Sequence, residues 1–97
     1  TAVLAAYDNM AYGAIKCLYD HGLDVPRDIS IIGYDDDKLN PYLKTPLTSI
    51  SSYNKDLCQI IVDTLFDGMR NKQPSKPKKI HISTELIVRG SVGPVKN

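Results

Sequence analysis

The chain has 97 residues, 42% of them hydrophobic and 24% charged, with a net charge of +1. That is room for one small domain of ordinary globular composition, and so small a charge gives no global field to gather nucleic acid or a membrane surface. No apolar run approaches the roughly 18 residues a membrane span needs, no leader with a basic, then apolar, then small-residue pattern is present, and the opening Thr1-Ala-Val-Leu, strand-like from the start and without methionine, reads as a piece of a longer protein.

Val3-Leu-Ala-Ala-Tyr7 reads as a first buried strand. Asp8 follows as a candidate helix cap, since a carboxylate there can accept a backbone N–H. Ala11, Ala14, Ile15 and Leu18 recur at the spacing of one helical face, and His21-Gly22 supplies the stop, because glycine suits the left-handed C′ position. After the Val25-Pro26 turn, Asp28-Ile-Ser-Ile-Ile-Gly-Tyr-Asp35-Asp36 is a β-branched run short enough to be a strand buried on both faces, as in a parallel α/β sheet. Strand, helix and strand over this length make a right-handed βαβ unit.

An irregular connection with Pro41 and Pro46 leads to a third strand, Leu47-Thr-Ser-Ile-Ser51. A long helix is predicted over residues 54 to 71, capped by Ser52 or Asn54, with Leu57, Ile60, Ile61, Leu65 and Met69 as its apolar stripe. Residues 72 to 79, with four lysines and two prolines, read as a solvated linker. Ile80-His-Ile-Ser83 alternates like a half-buried strand, and Leu86-Ile-Val-Arg-Gly90 is a last one. Cys17 and Cys58 fall on or beside apolar helix sides and read as small buried thiols. Their spacing fits no metal or CxxC motif, which points to a reducing cytosol.

Enzymatic constellations do not assemble. The two histidines, His21 and His81, lack a Gly-x-Ser-x-Gly partner, and no phosphate loop, dinucleotide fingerprint or His-Glu-x-x-His is present. The acidic group is Asp8 with Asp35, Asp36 and Asp37, at the ends of strands expected to be neighbours. Ligands of parallel sheets bind just past such ends. The carboxylates could hold Mg2+, as in a receiver or phosphoryl-transfer domain, or could accept hydrogen bonds from a sugar-like ligand. Equally, Asp8 could cap its helix while Asp36 and Asp37 form a turn. Tyr7, Tyr34, Tyr42 and Tyr53 lie at strand ends or just beyond, where aromatic faces can sandwich a ring.

Four stretches together resemble one family. Ala6-Tyr-Asp-Asn-Met-Ala-Tyr-Gly-Ala14, Val25-Pro-Arg-Asp-Ile-Ser-Ile-Ile-Gly-Tyr-Asp-Asp36, Pro46-Leu-Thr-Ser-Ile50 and Thr84-Glu-Leu-Ile-Val-Arg-Gly-Ser91 are similar, in order and spacing, to motifs of LacI/GalR transcriptional regulators. The resemblance implies an α/β fold: a parallel sheet with flanking helices, periplasmic-binding-protein-like of type I, present as part of a two-lobed domain. Residues 1–51 and 85–92 would belong to one lobe and 52–84 to the other. It implies effector contacts at Tyr7, Asp35 and Ser52 with Asp8 beside them, to which the aromatic reading adds Tyr53. It also implies a homodimer formed through Tyr12 and Tyr42. Tyr7 replaces the usual asparagine and Ser52 a common glutamine, so the cleft admits a different shape, while Asp35 keeps its acceptor for a hydroxylated ligand.

The family's helix-turn-helix and hinge lie at its N-terminus, and nothing in this chain resembles them. The function so implied is effector sensing and dimerisation in a cytoplasmic transcription regulator. It needs no cofactor, metal or catalysis, and it touches operator DNA only through a separate N-terminal domain. A secreted sugar-binding protein of a transport system is the alternative, with a Mg2+-dependent receiver behind it.

Overall fold

The computed structural model describes residues 1–52, 56–71 and 76–96. Four strands form one sheet in the order β1 (Ala2–Leu4), β2 (Ser30–Tyr34), β3 (Thr48–Ser51) and β4 (Glu85–Ile87). The first three run parallel, with Val3 beside Ile31 and Gly33 beside Ser49. β4 returns antiparallel to β3, so the expected parallel sheet carries one antiparallel strand at its edge.

Helix α1 (Asp8–Asp20) is the crossover between β1 and β2. Its predicted face is the one that packs. Ala11 and Ile15 join Ile31, Leu47, Val25 and Ala5 in the core, with Ala14 and Leu18 against them. The end of α1 follows from Gly22, which takes φ +73. The Gly22 N–H donates to the Tyr19 carbonyl at 3.0 Å and the Leu23 N–H to that of Leu18 at 2.9 Å, which satisfies two carbonyls that the last turn leaves over. A 3-10 turn (Asn40–Tyr42) follows β2.

The register fixes the two faces of the sheet. Val3, Ile31, Gly33, Ser49 and Ile87 face α1, and Leu4, Ile32, Tyr34, Ile50 and Leu86 face the other way. That second face is open only in part, since Thr48, opposite Ile32, is buried there. Leu4 is 68% exposed, and β2 is half-buried there. Burial on both faces, read from the apolar runs, therefore fails for β1 and holds only partly for β2. β1 is an edge strand, and no described helix covers its outer side.

Helix α2 (Leu57–Arg70) starts later than expected, after Asp56, and has no side-chain cap bond from Ser52. Asn54 lies outside the described residues. No residue of α2 is buried, and Ile61, Leu65, Phe66 and Met69 are all exposed. The molecule measures 61 × 27 × 18 Å with a radius of gyration of 18.5 Å, against about 12–13 Å for a compact chain of this length. Both cysteines are exposed, not buried. Cys17 is off the packed face of α1, and Cys58 is on α2, none of whose residues is buried. Residues 80 to 83, read as a strand, are coil.

Candidate functional site

The parallel run of β1, β2 and β3 brings their carboxyl ends to one edge of the sheet. Tyr7, Asp35 and Ser52 each follow one of those ends. Two aspartates near this edge are placed very differently.

Asp8 is the first residue of α1, with Tyr7 at the N-cap in extended geometry. No side chain caps the helix, so the capping role expected of Asp8 is not filled. Its carboxylate turns inward and is 2% exposed. Oδ1 accepts the Ser49 hydroxyl at 2.7 Å, and Oδ2 accepts the Asp37 N–H at 2.7 Å and the Asn40 amide at 2.8 Å. This seat exists because residue 33 has no side chain. A Cβ on Gly33 would lie 2.0 Å from Asp8 Oδ1.

Asp35 faces out. Its φ is 106°, and that of Asp36 is 53°. Aspartate visits the left-handed region more readily than most side chains, but positive φ is uncommon for any residue other than glycine and is held by its surroundings. Here three successive N–H groups are held. Asp35 donates to the Ile50 carbonyl at 2.9 Å, Asp36 to Ser49 Oγ at 3.0 Å and Asp37 to Asp8 Oδ2. Arg89 fastens the second residue, donating to Asp36 Oδ1 at 2.6 Å while its other amino group donates to the Leu47 carbonyl at 2.8 Å. Asp37 Oδ1 accepts the Leu39 N–H. Asp36 and Asp37 are thus bonded within the protein. Asp35 is exposed, and no described residue bonds its carboxylate. It opens onto a cleft of about 510 Å3 that Lys38, Ser51, Glu85 and Ile87 also line.

Of the residues predicted to meet a ligand, Asp35 lies in this cleft, and Ser52 directly follows its lining residue Ser51. Tyr7 is on the same sheet edge and 58% exposed, outside the cleft lining. Asp8 lies behind the rim. Tyr53 is outside the described residues. Of the residues predicted at a dimer face, Tyr42 is 84% exposed. Tyr12 is half-buried, and its hydroxyl donates to Asn40 Oδ1 at 2.6 Å. Burial, then the negative charges of Asp37 and Asp8, push its phenol up to about 12.

The four aspartates are engaged separately: Asp8 by three protein donors, Asp36 by Arg89 and Asp37 by the Leu39 N–H, while Asp35 faces out. Among the described residues no three His, Cys, Asp or Glu side chains converge as a metal site would require. Sequence reasoning missed Asn40, Ser49 and Arg89 as builders of the rim. A serine opposite a glycine in a buried strand was the available signal for Ser49. Asn40 reaches Asp8 across 32 residues, and nothing local announces it.

The periplasmic binding protein-like domain model matches residues 1–92. The chain belongs to that family. Among curated relatives, this periplasmic binding protein-like domain is 41% identical over 97 residues to the HTH-type transcriptional repressor PurR of Glaesserella parasuis, covering 95% of this chain and 28% of that protein. A LacI family transcriptional regulator from Enterococcus faecium, solved with bound ribose, superposes with a TM-score of 0.83 at 31% identity, over 99% of this chain and 35% of the other. The lac repressor dimer bound to operator and the anti-inducer ONPF superposes at 0.81 and 35% identity, over 95% of this chain and 32% of that one. The domain therefore spans about a third or less of the length of the proteins it matches, and the LacI/GalR resemblance read from its four motifs agrees with them. No described helix is long and apolar enough to cross a membrane.

Proposed function

We propose that this domain is the effector-sensing and dimerising part of a cytoplasmic LacI/GalR-type transcription regulator. The observation that carries the reading is the exposed Asp35 carboxylate, to which no described residue bonds, held at positive φ on the carboxyl edge of the parallel strands. A carboxylate pre-positioned there accepts two hydroxyls of a sugar or related metabolite without first breaking a bond to the protein. Tyr7 offers a ring face at the same edge, Ser52 follows the end of β3, and Asp8 holds the rim from behind, with Tyr53 carried over from the sequence as a further ligand contact. The E. faecium regulator with ribose supports a hydroxylated ligand.

The mechanism is a population shift. Residues 52–84, with the exposed apolar side of α2, belong to a second lobe, and the ligand binds the closed arrangement of the lobes more tightly than the open one. Only that difference in affinity moves the equilibrium. Closure changes the relation of two protomers that meet through Tyr12 and Tyr42, and DNA-reading heads outside this domain respond. The lac repressor dimer on its operator supports this assembly. The relatives are regulators, which favours this reading over a transport protein of the same fold.

A thermal-shift screen of the full-length protein against pentoses, hexoses, disaccharides and nucleosides tests the proposal. At least one hydroxylated compound raises the melting temperature of wild type, as a ligand bound only to the native state must, and leaves that of Asp35→Ala unmoved. A ligand that stabilises both proteins equally contradicts the proposal.

A further inference from the structure

A line of hydrogen bonds runs from the rim to Tyr12 on α1, whose hydroxyl also lies against the Asp37 carboxylate. The Tyr12 hydroxyl donates to Asn40 Oδ1, and Asn40 Nδ2 donates to Asp8 Oδ2. The same carboxylate accepts the Asp37 N–H and the Ser49 hydroxyl, and Ser49 Oγ in turn accepts the Asp36 N–H. Asn40 is 0% exposed, so water cannot take over a lost partner there.

The polarity of this line is fixed by chemistry. An ionised carboxylate only accepts, so Asn40 must present its NH2 to Asp8 and its carbonyl oxygen to Tyr12. Flipping the amide would set that oxygen against the carboxylate. Tyr12 must therefore donate, and removing its hydroxyl strands a buried acceptor one bond away from Asp8, which holds the Asp37 N–H directly and the Asp36 N–H through Ser49. Asn40 also opens the 3-10 turn that carries Tyr42. Both tyrosines expected at the dimer face are thus tied, through one amide, to the segment that aims Asp35.

We infer that Tyr12 and Asn40 are positioning residues that couple the conformation of the 35–37 rim to the α1 face and the Tyr42 turn. The functional sense of the coupling rests on the sensing role proposed above. Its physical content does not, because it requires only that a change at Tyr12 be felt at the rim. A buried, fully bonded network has few arrangements in which every member stays satisfied, so it shifts as a unit.

Hydrogen–deuterium exchange on the full-length protein tests this without any ligand. The variants are Tyr12→Phe and, as control, Tyr19→Phe. Tyr19 also sits on α1 and makes a 2.6 Å hydroxyl contact with Thr45, but it is not in the line to Asp8. Tyr12→Phe speeds exchange in peptides covering residues 35–38 by about fivefold or more, the equivalent of one net hydrogen bond, while β1 and the core of β2 keep their rates. Tyr19→Phe leaves the rim unchanged. The inference is overturned if the rim ignores Tyr12→Phe, if both variants loosen it equally, or if Tyr12→Phe speeds exchange throughout the sheet. Asp35→Ala separates the two claims. Lost ligand affinity there with an indifferent rim in Tyr12→Phe sinks the coupling alone, and retained affinity sinks the sensing role alone.

Discussion

Asp8 and Asp35 are the same residue type beyond the ends of neighbouring strands, and they do opposite work. Asp8 has traded water for three protein donors, while Asp35 keeps its carboxylate open on a backbone that costs about 1–3 kcal/mol to hold. Gly33 decides the first of these. Gly33→Ala pushes a methyl group into the Asp8 carboxylate, which either leaves its seat and strands buried donors or forces β2 aside. We expect a loss of about 3 kcal/mol or more in urea unfolding, and a variant within 1 kcal/mol of wild type would show the contact to be slack. Tyr12 gives a pH test of the same network. Its phenol is raised from 10.0 to about 12, first by burial and then by the charges of Asp37 and Asp8. The folded state thus favours the protonated phenol. The stability it contributes is complete below pH 10 and is lost as pH rises from 10 to 12. In a tyrosinate absorbance titration, Tyr12→Phe should remove a phenol that titrates near 12, and a variant that keeps that step would contradict the assignment.

At the scale of elements, what could be read from the sequence was whatever depends on local pattern. The α1 face at Ala11, Ile15 and Leu18, the glycine stop at Gly22 and the Ile31-centred strand all follow from spacing and backbone preference, and the structure has them. The failures share one cause. Val3 and Leu4, the stripe on α2, and Cys58 were read as buried because they are apolar or thiol-bearing, yet burial needs a partner surface, and no described element supplies one. The alternation at residues 80 to 83 is real but pairs with no strand. At the site, Asp35 was legible as an acid ending a buried strand, whereas the inward turn of Asp8 was not. It depends on Asn40 and Ser49, which reach it across 32 and 41 residues. Helix α2 carries its own test. With 14 residues and none of them buried, it lies at the margin of stability for a lone helix in water. Amide exchange in the 97-residue chain should be far faster for α2 than for β2, and the same α2 amides should become slow in the full-length protein. Equal protection in both would show that α2 needs no second lobe.

For the molecule as a whole, an extent of 61 Å and a sheet partly open on one face belong together. The packed part, from β1 to β3 together with Arg89, builds the rim, and α2, which buries no residue, belongs to the lobe we propose it completes. A ligand caught between such lobes needs one anchor that stays fixed while the other side moves. Asp35 is suited to that, since its loop is bonded to β3, Arg89 and Asp8 within the described fold. The most direct measurement is calorimetric titration of the full-length protein, wild type beside Asp35→Ala, with the compound that gives the largest thermal shift in the screen. The account predicts that affinity falls about 30-fold, close to 2 kcal/mol, in a variant that melts like wild type. Equal affinity in the two proteins, or a screen in which no hydroxylated compound stabilises wild type, would contradict it.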